Sequence, residues 1–170
     1  PSNIPAAVEA LHPGDKWTVQ ELTTPGYLLP LVESIKRGQA IVVSDGSYKE
    51  GFGTSAFVIQ SLSTGNRVSG RNIPPGPSSI QSSYRSELAG IAGIVNVLCM
   101  LGQIYSLQEG SLEVGLDNEQ AMKSVFHNEW DPSIKKPDFD LIYDIRQKIR
   151  TLPLTLTGRW IKGHQDKEGV

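Results

Sequence analysis

Three acidic residues stand where rigid elements of the chain should end or turn. Asp45 follows the apolar, β-branched run Ala40-Ile41-Val42-Val43, Glu87 opens a long amphipathic stretch, and Asp117 follows the alternating segment Ser111 to Leu116. Taken singly, each acid has an ordinary role: Asp45 starts a turn, Glu87 favours a helix N-terminus, Asp117 caps a helix. Taken together they suit different chemistry. Carboxylates brought to one point repel one another and stay ionised only beside a cation. A set of oxygen ligands alone favours Mg²⁺ or Mn²⁺ over zinc. Two such ions about 3.5–4 Å apart activate a water and stabilise the leaving oxygen of a phosphodiester.

Whether the acids meet depends on the elements that carry them. The run from Ala40 suits a strand buried on both faces, ending at Ser44-Asp45-Gly46-Ser47. Gly46 permits a sharp exit from the strand or a close approach to its backbone. Gly51 and Gly53 punctuate a turn, and Thr54 to Gln60 forms the second strand of a hairpin. Arg67 to Ile73 reads as a third strand, closed by Pro74, Pro75, Gly76 and Pro77. From Tyr84 to Gly102, Leu88, Ile91, Ala92, Val95, Leu98, Cys99 and Gly102 recur at helical spacing, with Ser83 or a neighbour as cap. Glu87 lies one turn before Ile91, on the edge of the face that packs on the sheet. Ser111 to Leu116 is a fourth strand, Asn118 to Phe126 a short helix, and Asp138 the cap of another. Leu154 to Lys162 is the fifth strand. The first and fourth strands sit side by side only if parallel, joined by a crossover that carries the Glu87 helix. Asp45 and Asp117 then meet at one sheet edge, the usual place for a site in such a sheet.

At 170 residues, with 38% hydrophobic and 20% charged residues, the chain is expected to form one domain, with room for a tail. No apolar run approaches the ~18 residues needed to cross a bilayer, so no membrane association is expected. No secretory signal is visible, and the single cysteine, Cys99, rules out an internal disulfide framework. The expected location is intracellular, in cytoplasm or nucleus. The formal net charge of −2 argues mildly against a nucleic-acid partner, but Arg146, Lys148, Arg150, Arg159, Lys162 and Lys167 make the C-terminal part locally basic. Residues 1–38, broken by Pro5, Pro13, Pro25 and Pro30, read as an extension or a link from a preceding domain. The domain itself is expected to span 39–170.

SDGS at 44–47 with the following GFGTSAFVI, YRSELAGIAGIV at 84–95, LEVGLDN at 112–118 and RWIKGHQD at 159–166 resemble the successive motifs of ribonuclease H. The GHQD form is similar to the ribonuclease H domains of retroelement (retrotransposon) reverse transcriptases. The resemblance implies an α/β fold, a five-stranded mixed sheet in the order β-β-β-α-β-α-α-β flanked by helices. It implies endonucleolytic hydrolysis of the RNA strand of an RNA/DNA hybrid, and a polymerase domain in the same polyprotein as a possible partner. By matching position, Asp45, Glu87 and Asp117 would hold two Mg²⁺ or Mn²⁺ ions. His164 falls where the family has a histidine that assists proton transfer or product release. Gly46, Ser47 and Asn118 fall where the family contacts the hybrid backbone and its 2′-hydroxyls.

Two features depart from the family pattern. The family's fourth metal-binding aspartate lies on a terminal helix beyond the histidine, and the sequence stops at Val170; Asp166 belongs to the GHQD motif and is not that ligand. The lysine-rich protrusion of some cellular members has no counterpart between Phe126 and Asp138, which holds only Lys135 and Lys136. A binding or scaffold module of the same fold, weakly active or inactive, is therefore the competing expectation. One half of an actin-like ATPase is a more distant one, since that architecture needs two halves.

Overall fold

The computed structural model describes residues 1–161, which form a six-stranded mixed sheet with its helices on one face. In chain order the elements are α1 (Ile4–Ala10), a 3-10 turn (Pro13–Val19), β1 (Glu21–Thr23), α2 (Leu29–Lys36), β2 (Ala40–Lys49), β3 (Phe52–Ser61), β4 (Arg67–Asn72), α3 (Ser83–Tyr105), β5 (Ser111–Leu116), α4 (Glu119–Phe126), α5 (Lys136–Thr151) and β6 (Thr155–Trp160). The strand order is β1-β4-β3-β2-β5-β6. β1 to β4 pair antiparallel, while β2, β5 and β6 run parallel. The crossover from the β2 hairpin to β5 carries α3, as the sequence requires.

The sheet has six strands, not the five expected. The extra one, β1, is the three-residue segment Glu21-Leu22-Thr23 on the outer edge of β4. So short a strand has no alternation to reveal it and exists only because β4 offers an open edge. The residues before Gly38 pack on the body: Ala7, Val19, Leu31, Val32 and Ile35 are all in the core. Polar groups wire them in. The Asn72 amide donates to the Thr18 and Ala89 carbonyls at 2.9 and 3.0 Å, and the Asn96 amide donates to the Thr18 hydroxyl at 2.8 Å. On the surface side, Lys148 pairs with Asp15 at 2.6 Å.

A second correction concerns β2. Gly46 reads as a strand end, yet the strand continues to Lys49, because β3 pairs with every one of its ten residues down to Phe52. Asp45 is therefore presented from within a long strand. Its parallel neighbour sets the end that matters. Val43 pairs with Gly115, so the register puts Asp45 level with Asp117, just past the end of β5.

α3 lies across the inner sheet face, and sixteen of its residues, from Arg85 to Leu101, are buried. It comes close because glycines and serines face it. The ring of Phe57 fills the space where a Cβ on either Gly70 or Gly93 would go, and a Cβ on Gly90 would touch Ser44 at 3.0 Å. Contrary to the sequence expectation, α3 is long and apolar enough by itself to cross a membrane, with a mean hydropathy of 1.8. The fold accounts for that composition: 72% of the apolar window is buried within the protein.

Candidate metal centre

Asp45 leaves β2, Glu87 leaves the second turn of α3, and Asp117 follows β5; one carboxylate oxygen from each lies within 4.8 Å of the other two. The three differ in exposure. Glu87 is 3% exposed, Asp117 is partly covered, and Asp45 is open to solvent. The cluster is thus a shelf with a buried back and an open front.

Each acid is held by its backbone. Ser82 caps α3, its hydroxyl accepting from the Arg85 amide at 3.0 Å, which fixes the turn that delivers Glu87. The Gly46 amide donates to Glu87 Oε1 at 2.8 Å and ties β2 to α3. A side chain at position 46 has no room, since a Cβ there would stand 2.7 Å from both the Glu87 nitrogen and the Ser86 carbonyl carbon. The Trp160 indole donates to the Asp117 carbonyl at 3.0 Å, and the Ile161 amide to that of Leu116 at 2.6 Å, so β6 braces the end of β5. The helix after Asp117 is capped by Asn118, whose side chain accepts from the Ala121 amide at 2.8 Å; Asp117 is released from that duty.

The residues fit a divalent cation. The donors are all carboxylate oxygens, and Glu87 Oε2 is buried with no hydrogen-bonding partner, a costly arrangement that a bound cation would relieve. Burial pushes the Glu87 carboxyl up to about 8; the nearby Asp117 charge is the next cause, the Gly46 amide opposes it, and Asp45 adds to it.

A pH dependence follows. The folded protein holds the Glu87 proton up to about pH 8, whereas an unfolded chain releases it near 4.5. The folded state binds the extra proton between those values, so metal-free stability falls as pH rises through them. Between pH 5 and 8.5 the loss is on the order of 3 kcal/mol, or ~6–12 °C in Tm. Glu87→Gln, which copies the protonated form, removes this slope, and saturating Mg²⁺ removes it in the wild type. Melting both proteins across that range is the check. A wild-type curve parallel to that of Glu87→Gln would refute the raised pKa.

Other expected site residues fall as follows. Gly46 lies against the cluster, Ser47 is exposed two residues beyond Asp45 on β2, and Asn118 follows Asp117. His164, with Lys162, Asp166 and Lys167, lies outside the described residues. Several of the C-terminal basic residues are engaged within the protein: Arg146 donates to the Ser124 and Val125 carbonyls, Lys148 pairs with Asp15 and Asp144, and Arg159 lies 3.5 Å from Glu113. Sequence reading also missed a cleft of about 400 Å³ that runs from Asn118 between the starts of α3 and α5. Ser82, Ser83, Tyr84, Ser133 and Lys135 line it. Its walls come from segments far apart in the chain, so no local pattern announces it.

No family model matches the sequence, and no curated protein does. Solved structures do match. The N-terminal ribonuclease H domain of rv2228c from Mycobacterium tuberculosis aligns with a TM-score of 0.50 at 13% identity, over 76% of this chain and 86% of that one. A ribonuclease H1 obtained from compost by a metagenomic approach aligns with a TM-score of 0.51 at 14% identity, over 76% and 91%. The fold is that of ribonuclease H. The same compost ribonuclease H1, solved in complex with an RNA/DNA hybrid, aligns with a TM-score of 0.51 at 15% identity, over 73% and 87%. Within the ribonuclease H fold of this chain, the acidic cluster sits at the point where β2, β5 and the crossover helix α3 converge.

Proposed function

We propose that this chain is a metal-dependent endonuclease that hydrolyses the RNA strand of RNA/DNA hybrids, as part of a retroelement reverse transcriptase. The observation that carries the reading is the convergence of Asp45, Glu87 and Asp117 at one point of a ribonuclease H fold. These three would hold two Mg²⁺ or Mn²⁺ ions, which when bound supply an activated water and stabilise the leaving oxygen. The chain's own contribution is placement. Glu87 sits buried behind Asp45, and the open side of the shelf is where a scissile phosphate can arrive. Gly46, Ser47 and Asn118 are proposed to contact the hybrid backbone and the 2′-hydroxyls that distinguish RNA from DNA. His164 is proposed to assist proton transfer or product release. The retroelement assignment rests on the GHQD motif, with a polymerase domain of the same polyprotein as partner and the whole acting inside the cell.

A substrate panel tests this. RNA/DNA hybrid, double-stranded RNA, double-stranded DNA and single-stranded RNA, each strand end-labelled, are incubated with the chain and Mg²⁺ or Mn²⁺. The expected result is cutting of the RNA strand in the hybrid alone. Cutting of DNA, or equal cutting of double-stranded RNA, would refute hybrid specificity. The second reading, a binding or scaffold module, is favoured by one observation: among the described residues only three acids gather at the site. Tight hybrid binding with no cutting in either ion would select it.

A further inference from the structure

One buried ion pair lies outside the acidic cluster, on the turn of α3 just before the one that carries Glu87. Arg85 and Asp138 are 6% and 5% exposed, and Arg85 Nη1 meets Asp138 Oδ1 at 3.1 Å. Arg85 Nη2 donates to the Pro75 carbonyl at 2.9 Å. The Pro74–Gly76 loop it reaches is held a second time by Gln81, whose amide donates to the carbonyls of Pro74, Pro75 and Gly76. Asp138 is in the first turn of α5 and is also part of the cleft wall. Next to Arg85, the Tyr84 hydroxyl donates to Ser124 on α4 at 2.8 Å. The first turn of α3 is therefore bolted to α5, to the proline loop and to α4, and Glu87 is the next turn's carboxylate.

A buried pair of this kind is weak evidence for stability, because well-packed apolar replacements often match it. What it supplies is direction: a planar guanidinium spanning a carboxylate and a carbonyl permits little rotation of the turn that carries it. The Gly46 amide reaches Glu87 from the other side at 2.8 Å, so a small rotation of that turn would break the cluster's geometry. We infer that Arg85, through Asp138 and the Pro75 carbonyl, is a positioning residue that sets Glu87 against Asp45 and Asp117 and couples the cleft wall to the acidic cluster. The effect on cleavage rests on the nuclease reading above; the effect on ion binding does not.

The test pairs Arg85→Met with Asp138→Leu in one protein, beside the hydrogen-bonding single variants Arg85→Lys and Asp138→Asn. Melting, Mn²⁺ affinity by calorimetry and single-turnover hybrid cleavage are measured on each. The double variant is expected to melt within a few degrees of wild type, yet to bind Mn²⁺ about tenfold more weakly and cleave at least about tenfold more slowly, the range seen when groups that orient ligands are removed. The substrate concentration at half-maximal rate should move far less than the rate itself. A double variant that folds with wild-type Mn²⁺ affinity and rate, within about twofold, would show the pair to be structural only and overturn the proposal. Should the double variant fail to fold, the two single variants decide: they keep most of the volume but lose the charged planar fork between Asp138 and the Pro75 carbonyl, and wild-type Mn²⁺ affinity in both would overturn it equally. If wild type binds Mn²⁺ but does not cut the hybrid, the nuclease reading fails while the affinity comparison still decides the role of Arg85. Absence of Mn²⁺ binding by wild type overturns both.

Discussion

Asp45→Asn is expected to abolish hybrid cleavage while leaving the fold intact. The carboxylate is exposed at the front of the cluster, and asparagine keeps its volume while removing the charge. Stabilisation of developing charge by bound ions is worth several kcal/mol, so the loss is about 10³-fold or more in rate. Stability should move the other way. The Asp45 charge is one of the causes that raise the Glu87 carboxyl. Its removal relieves like-charge repulsion, and the metal-free variant should melt no lower than wild type at pH 8. Cleavage assays and melting on one preparation check both. A variant that retains more than about a tenth of wild-type activity contradicts the assignment of Asp45, and one that is inactive because it has unfolded leaves Glu87→Gln as the variant that decides.

Gly46→Ala is the complementary case, with the ligands untouched and the frame disturbed. The new methyl meets backbone, not a flexible side chain, at 2.7 Å on two atoms of α3. Either α3 moves off the sheet or β2 bends away, and both break the hydrogen bond that the Gly46 amide donates to Glu87. Overpacking of this kind costs about 2 kcal/mol, or ~4–8 °C in Tm. Activity should fall further than stability, because the displaced atoms carry the site. Thermal melting with the cleavage assay reads both, and a variant matching wild type in each would show that α3 is not seated where the geometry has it.

What the sequence disclosed, and what it hid, follows from the range of the interactions involved. The parallel pairing of the two acid-bearing strands was legible because a crossover helix leaves few alternatives, and the periodicity from Leu88 to Gly102 displayed that helix. Gly46 misled as a strand end because the continuation of β2 is imposed by β3 across the sheet. Asp138 read as a helix cap from local rules, yet its partner is Arg85, 53 residues away, and Lys135 takes the cap position without a side-chain bond. β1 was invisible because three residues make a strand only when another strand waits for them. That α3 is apolar enough to cross a membrane was missed because a helix buried on nearly every side loses the polar stripe by which a surface helix is recognised.

The central claim is that these three carboxylates, with divalent ions, make the chain a hybrid-cutting nuclease. The most direct measurement is a single-turnover reaction of an RNA/DNA hybrid labelled on the RNA, with the chain in excess, run in Mg²⁺, in Mn²⁺ and in EDTA. RNA fragments that appear with either ion and vanish in EDTA are the predicted result. An intact RNA strand in both ions, or fragments that persist in EDTA, would contradict it.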